Sequence, residues 1–414
     1  MNFRVLLTLL LVNYLSSLFF VVLKASSLAL GLALATVLSI AINYRAAYVR
    51  RIPGRLFLYA AIFSVAVILQ SIYLYASYDI QKPLTAAFLP LMFVAIYFFA
   101  RRFCELSPKE LDITIFSFIC LTIFVGWLGF SGVSKVGGYS EHAKAVAPFS
   151  EESHFALCVG LFSVAYCSVC SKWKYFFILI NLLGLSVLFP SLTLLTFTVL
   201  MLVIGLARFA PGYFFVLGGI AFVLLFVGLS VLFSQVEYFS SRLTFEDTDN
   251  ITTLVWLQGW DLATNNFQST YGLGLGFQML GSERTLLSDI SYKTNDIAGN
   301  FKNLDDGGFV VAKLVAEFGV LGILLSVCYL FMLYRFLGLL ADADKVFPFH
   351  GRRRDRGEGK KVMFLMALLF GYFIEMFFRG YGYFSPGAFF VVSALVSLRY
   401  LPGGFRSDAG RSSC

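Results

Sequence analysis

The chain has 414 residues, of which 59% are hydrophobic and only 14% charged, with a mean hydropathy of +0.81. Such a composition excludes an ordinary soluble domain and points to transmembrane helices, each needing about 20 apolar residues. The net charge of +8 does not imply nucleic acid, because no basic-aromatic groove or nucleic-acid motif accompanies it.

The first apolar run, Val5–Leu23, resembles a signal peptide, but it is longer than the cleaved type and reads as a retained first helix. Hydropathy then predicts spans at Ser26–Ile42, Leu56–Tyr75, Leu84–Ala100, Ile113–Phe130 and Ser153–Cys170. Tyr175–Phe189 and Leu192–Ala207 are read as two spans, because together they are too long for one and Pro190 breaks the helical ladder between them. Tyr213–Phe233, Gly308–Tyr334, Val362–Phe378 and Gly387–Tyr400 complete the set. The expected fold is an all-α polytopic membrane protein of about twelve transmembrane helices, one membrane domain over residues 1–414.

With the N-terminus inside, 22 of the 32 Lys and Arg residues fall on the cytoplasmic side, as the positive-inside rule requires. Both termini are then cytoplasmic. The inner loops are short except the Arg-rich Arg335–Lys361, read as a solvated, lipid-headgroup-binding linker. The outer side carries a medium loop, Ser131–Glu152, and a large one, Ser234–Gly307. This uneven investment places function on the outer face. None of the seven cysteines falls in a predicted outer loop, so no disulfide framework is expected, and Cys167 and Cys170 read as helix-packing residues.

In the medium loop, Ser150 is a suitable N-cap for the following helix, with Glu151 and Glu152 in its first turn, where the helix dipole favours acids. Glu151 and His154 share a helix face at i, i+3 and would act as proton acceptor and orienting partner. Spacing alone leaves a capped helix with a satisfied histidine equally open. Lys144 adds a cation nearby.

The large loop has helical spacing over Ile251–Asn266, with Trp256 and Trp260 at i, i+4, which suits the membrane interface. The acidic Asp247–Asn250 reads as a turn rather than a metal site. The Gly272–Gly276 run follows no strand, so it reads as a tight turn or close backbone approach and not a nucleotide-binding loop. Arg242, Arg284, Lys293 and Lys302 are the cations available to an anionic head group. At the mouth of the loop Asp305 and Asp306 stand unpaired in sequence; beyond it Lys313 and Glu317 lie at i, i+4, and Glu375 and Arg379 repeat that spacing.

Three of these pieces together are similar to the bacterial O-antigen polymerase and O-antigen ligase superfamily. They are FSEESHFA (Phe149–Ala156), the Trp260–Gly281 segment ending in GLGLGFQMLG, and DDGGFVVAKLVAEFGVLGILL (Asp305–Leu325). Their order and placement on the outer face agree with that superfamily. Glu152 stands where it often has Pro, Lys144 stands near a usual Arg, and no Arg lies near Trp256. Gly308 stands near the position where ligases carry a His, which favours the polymerase (Wzy) branch.

The resemblance implies a GT-C-like, metal-independent glycosyltransferase of the bacterial inner membrane, with a periplasmic active site and no cofactor. Its substrates would be undecaprenyl-pyrophosphate-linked oligosaccharides, and its partners membrane lipids and a polysaccharide chain-length regulator. Glu151, then Asp306 or Asp305, would accept the proton of the attacking hydroxyl, with His154 orienting. Lys144, Arg242, Arg284 and Arg379 would meet the pyrophosphate, Trp260 would stack on sugar, and Gly274 and Gly276 would let backbone approach substrate. The alternatives are an O-antigen ligase and a lipid-linked oligosaccharide transporter.

Overall fold

A computed structural model describes residues 1–24, 28–45, 54–132, 146–149, 151–188, 191–209, 249–282, 287–301, 303–341 and 353–401. The expected span Tyr213–Phe233 and most of the Ser131–Glu152 loop lie outside these, as do Lys144, Arg242, Arg284 and Lys302. Helix accounts for 81% and no strand is present among the described residues, so the fold class is all-α. Among the described residues, six helices are long and apolar enough to cross a membrane, and three shorter ones are apolar.

The helices in chain order are α1 (Phe3–Val22), α2 (Leu28–Asn43), α3 (Gly54–Tyr78), α4 (Leu89–Glu105) and α5 (Pro108–Phe130). Then come α6 (Glu152–Cys167), α7 (Lys172–Leu188), α8 (Leu192–Phe209), α9 (Ile251–Ser269) and α10 (Asp289–Ala298). The last are α11 (Val310–Phe318), α12 (Val320–Ala341), α13 (Arg353–Gly371), the short α14 (Phe373–Phe377) and α15 (Pro386–Tyr400). A 3₁₀ segment, Lys82–Phe88, leads into α4.

Local signals explain several boundaries. Ser107 and Glu110 form a reciprocal capping box before α5, with Pro108 in the first turn. Asn250 caps α9 by accepting from Thr252 N at 3.0 Å. Ser385 does the same for α15 through Ala388 N. Helix α7 ends at Leu188 and α8 begins at Leu192, and the two pack side by side.

Helix α6 is the axis of the bundle. Every residue from Phe155 to Cys167 is buried, which fits a helix apolar on all sides. It packs against α5, α8 and α13, and the Phe197 ring of α8 occupies the space that a Cβ on Gly160 would fill. Small residues at such contacts matter because lipid is as apolar as the helices themselves, so close packing drives their association. Edge-to-face rings carry the packing outward: Phe118–Phe162 at 4.9 Å, Phe162–Phe390 at 5.0 Å and Phe99–Phe390 at 5.4 Å. Each such pair contributes about 0.5–1.5 kcal/mol beyond its buried area.

The expected single span Gly308–Tyr334 is broken into α11 and α12 at Gly319. Gly319 has φ 54° and ψ −127°, and a Cβ there would overlap the Gly272 carbonyl. The 272–276 glycine run closes the break: Leu275 N donates to Ala316 O (2.9 Å), Gly276 N to Glu317 O (2.8 Å), and Val320 N to Gly272 O (2.8 Å). Helix-end carbonyls otherwise left without partners are thereby satisfied. Gly319→Ala is therefore expected to lower the thermal unfolding midpoint in detergent, by more than about 1 kcal/mol of stability. Gly338→Ala, in open space within α12, should leave the midpoint unchanged or raise it.

Candidate functional site

A cavity of about 750 Å³ opens where the start of α6, the 3₁₀ segment, the start of α9, the turn before α11 and the chain after α14 converge. Its polar lining includes Lys82, Glu151, His154, Asp305, Asp306 and Arg379. Three carboxylates thus face two cations. Phe20, Leu28 and Ala29, from α1 and the start of α2, and Phe384 form an apolar part of its wall.

Phe149 positions the start of α6. It is 1% exposed and packs on Tyr14 (5.3 Å) and Phe155 (6.0 Å). Ser150 lies outside the described residues, and Glu151 itself occupies the N-cap position in an extended conformation. Its carboxylate makes no cap hydrogen bond. Oε1 instead accepts from Arg379 Nη2 at 2.7 Å and lies 2.8 Å from His154 Nε2. The expected N-cap is Ser150 with Glu151 in the first turn; Glu151 instead stands at the N-cap position and commits its carboxylate to a charge-assisted ion pair. The His154 ring rests on Tyr381, with centroids 4.3 Å apart. Desolvation pushes the Glu151 carboxyl upward, but the Arg379 charge, and then His154, outweigh it and hold the pKa well below the usual carboxylate range.

Arg379 reaches Glu151 because α14 stops at Phe377. Phe378 N and Arg379 N both fold back onto Ile374 O at 2.9 Å, and Gly380 N donates to Gly308 O at 2.8 Å. The i, i+4 pairing of Arg379 with Glu375 is therefore not made. Glu375 is buried and accepts from Ser385 Oγ at 3.1 Å.

Asp305 and Asp306 sit in a turn begun by Asn303, whose carbonyl accepts from Gly307 N at 2.8 Å. Asp305 pairs with Lys82 (3.2 Å), and Asp306 lies 3.6 Å from Lys313. The Asp305 carbonyl accepts from both lysines, at 3.3 Å from Lys82 and 2.6 Å from Lys313. Lys313 also makes the expected pair with Glu317 at 3.2 Å, and both side chains are 0% exposed. Glu317 further accepts from Gln278 N (2.9 Å) and Leu280 N (3.1 Å). The pair thereby ties the Gly272–Gly281 segment to the acidic turn. Gln278 and Asn303 both line the cavity at positive φ, 60° and 51°, a conformation costly for side chains other than Gly.

The structure thus brings Glu151, His154, Asp305, Asp306 and Arg379 to one cavity. Trp260 packs on Phe309 (5.0 Å) and Trp256 (6.2 Å) and is not among the lining residues. Gly274 abuts the Glu317 backbone and Gly276 the Gln70 and Leu74 side chains, so both serve the helix break. Sequence reasoning passed over Lys82, Gln278, Tyr381 and Tyr383. The available signal for Lys82 was that it is one of the few cations left on the outer side, in a short turn that had no other need of charge. No family model, curated protein or solved structure matches the chain.

Two outcomes follow. Lys313→Met should destabilise the protein by about 3–5 kcal/mol, since it strands a buried carboxylate, and Lys313→Met/Glu317→Gln should recover part of that loss; chemical unfolding of wild type, Lys313→Met, Glu317→Gln and the double variant measures it. The Glu151 pKa is depressed on folding, so its ion pair contributes fully above the unfolded pKa of about 4.3. That contribution fades only as pH falls through the lower folded value. Unfolding of wild type minus Glu151→Gln should therefore show a difference that is constant near neutrality and shrinks in acid.

Proposed function

We propose that this chain is a membrane glycosyltransferase of the bacterial inner membrane that polymerises undecaprenyl-pyrophosphate-linked oligosaccharides at the periplasmic face. The observation that carries this reading is the convergence of Glu151, Arg379, Lys82 and the Asp305–Asp306 turn on one cavity with a partly apolar wall. Its volume lies within the range of ligand clefts, about 300–1,000 Å³. Polar groups would hold the sugar and pyrophosphate, while the wall formed by Phe20, Leu28 and Ala29 would accept the start of the lipid tail. Twelve spans with both termini cytoplasmic would place the cavity outside, since Lys82, Glu151, Asp306 and Arg379 all fall on the outer side of that topology.

In the reaction, a hydroxyl oxygen of the new repeat unit attacks the anomeric carbon of the growing chain. The bond from that carbon to the pyrophosphate oxygen breaks, and the lipid pyrophosphate leaves with the electron pair. A carboxylate takes the hydroxyl proton. Glu151, held by Arg379 and His154, is a weak proton acceptor because its pKa is depressed. Its better role is to aim Arg379 at the leaving pyrophosphate, where negative charge grows. Asp306 faces the cavity with 44% of its side chain exposed and the longer 3.6 Å contact to Lys313, so the proton-acceptor role passes to it. Lys82 holds Asp305 and adds a second cation.

The test uses purified full chain with a synthetic undecaprenyl-pyrophosphate repeat unit, chelator, and no nucleotide sugar, with products resolved by size. A ladder of multiples is expected. Asp306→Asn should slow it roughly 10²–10⁴-fold and Arg379→Gln roughly 10²–10³-fold. Transfer only to added lipid A–core would make the chain a ligase, and movement of lipid-linked sugar across vesicles without product would make it a transporter.

A further inference from the structure

A second large cavity lies at the far end of the same helices. The chain runs from Lys82 through α4 to Ser107, and from Glu151 through α6 to Cys170, so each path links the first cavity to the second. This second space is about 870 Å³, and its charged lining is Lys109, Asp112, Lys174, Arg208 and Lys360. Four cations against one carboxylate leave a net +3 among the described lining residues.

The carboxylate is already engaged. Asp112 accepts from Lys174 Nζ and from the Tyr166 hydroxyl, both at 2.6 Å, which removes Lys174 from the free charge. Arg208 donates Nη1 to Cys167 O at 2.9 Å, hydrogen-bonds the Cys170 side chain and lies over the Phe209 ring; a guanidinium carries five donors, so it retains donors for a ligand. Lys109 and Lys360 are exposed at the rim. Ser107–Pro108 and Ser171, where α5 and α7 begin, also form the wall; the α5 start is closed by its capping box with Glu110, and the α7 start adds its partial positive charge. A concave site combining a guanidinium, two ammonium groups and a helix start suits a multiply charged oxyanion. Immediately beside it, Trp173 and Phe176 of α7 are exposed apolar rings, a surface for an acyl chain.

We propose that this cavity binds the phosphate of an anionic lipid headgroup. Free phosphate shares that chemistry, and the experiment separates the two sources. The proposal does not depend on the glycosyltransferase reading. Full-length protein in detergent is titrated calorimetrically with dioctanoyl phosphatidate and, separately, with inorganic phosphate. The variants are Lys109→Gln/Lys360→Gln, both at exposed positions, and the charge-matched control Arg45→Gln/Arg399→Gln, also exposed but outside the cavity lining.

One saturable phosphatidate site is expected, weakened at least about tenfold in Lys109→Gln/Lys360→Gln and unchanged in the control. Inorganic phosphate binding as tightly, with the same variant sensitivity, would retain the site and assign it to a free anion. Absence of saturable binding by either probe, or equal weakening in the control, would overturn the proposal. Arg208→Lys, which keeps the charge and loses the planar donors, should weaken phosphatidate binding while its own thermal midpoint stays at the wild-type value.

Discussion

The arrangement of the first cavity depends on the buried ion pair between Lys313 and Glu317. Two charges removed from water are tolerable only when their remaining hydrogen-bonding capacity is met. Here Gln278 N, Leu280 N and the Asp305 carbonyl meet it. Each of these partners belongs to a loop rather than to a neighbouring helix. The pair therefore converts loop segments that would otherwise lack a fixed position into extensions of α11. The side chains of Asp305 and Asp306 face the cavity because their backbone is held from behind.

Glu151 and Arg379 supply the opposite wall by a different physical route. Their contact joins a helix start to a helix end, and neither residue is used up in capping. The same helices carry a chemically different surface at their other ends, where lysines and Arg208 outnumber Asp112. One bundle thus holds an acid-rich cavity with an apolar wall at one end and a basic cavity at the other. A protein of this composition has few charges to distribute, and most of those named here lie at these two ends rather than on the apolar faces between.

Much of this was legible in the sequence where the relevant interaction is local. The helix beginning at Glu152, the Glu151–His154 contact, the Lys313–Glu317 pair and the α7–α8 division all follow from spacing of three or four residues or from one proline. What was not legible depended on where a helix stops. Extrapolating i, i+4 spacing past Phe377 pairs Arg379 with Glu375, whereas the chain turns there and sends Arg379 to a residue 228 positions away. Lys82 is hidden for a similar reason, because its partners at Leu280 and Asp305 come from distant segments. The glycine run from Gly272 to Gly276 reads as a tight turn or a close backbone approach, and the structure shows the close approach. The surface it approaches is another part of the same chain.

That glycine run bears on how the chain assembles. Helix α12, one of the six long apolar helices, starts where α11 ends, and the exposed carbonyls at the junction find their donors about forty residues upstream. Until residues 272–276 fold onto the junction, those carbonyls have no protein partner and cannot rest in hydrocarbon at low cost. The α11–α12 segment therefore cannot mature as an independent rod. Its seating is coupled to the docking of residues 272–276, and the chain that continues from them brings Gln278 to the wall of the cavity.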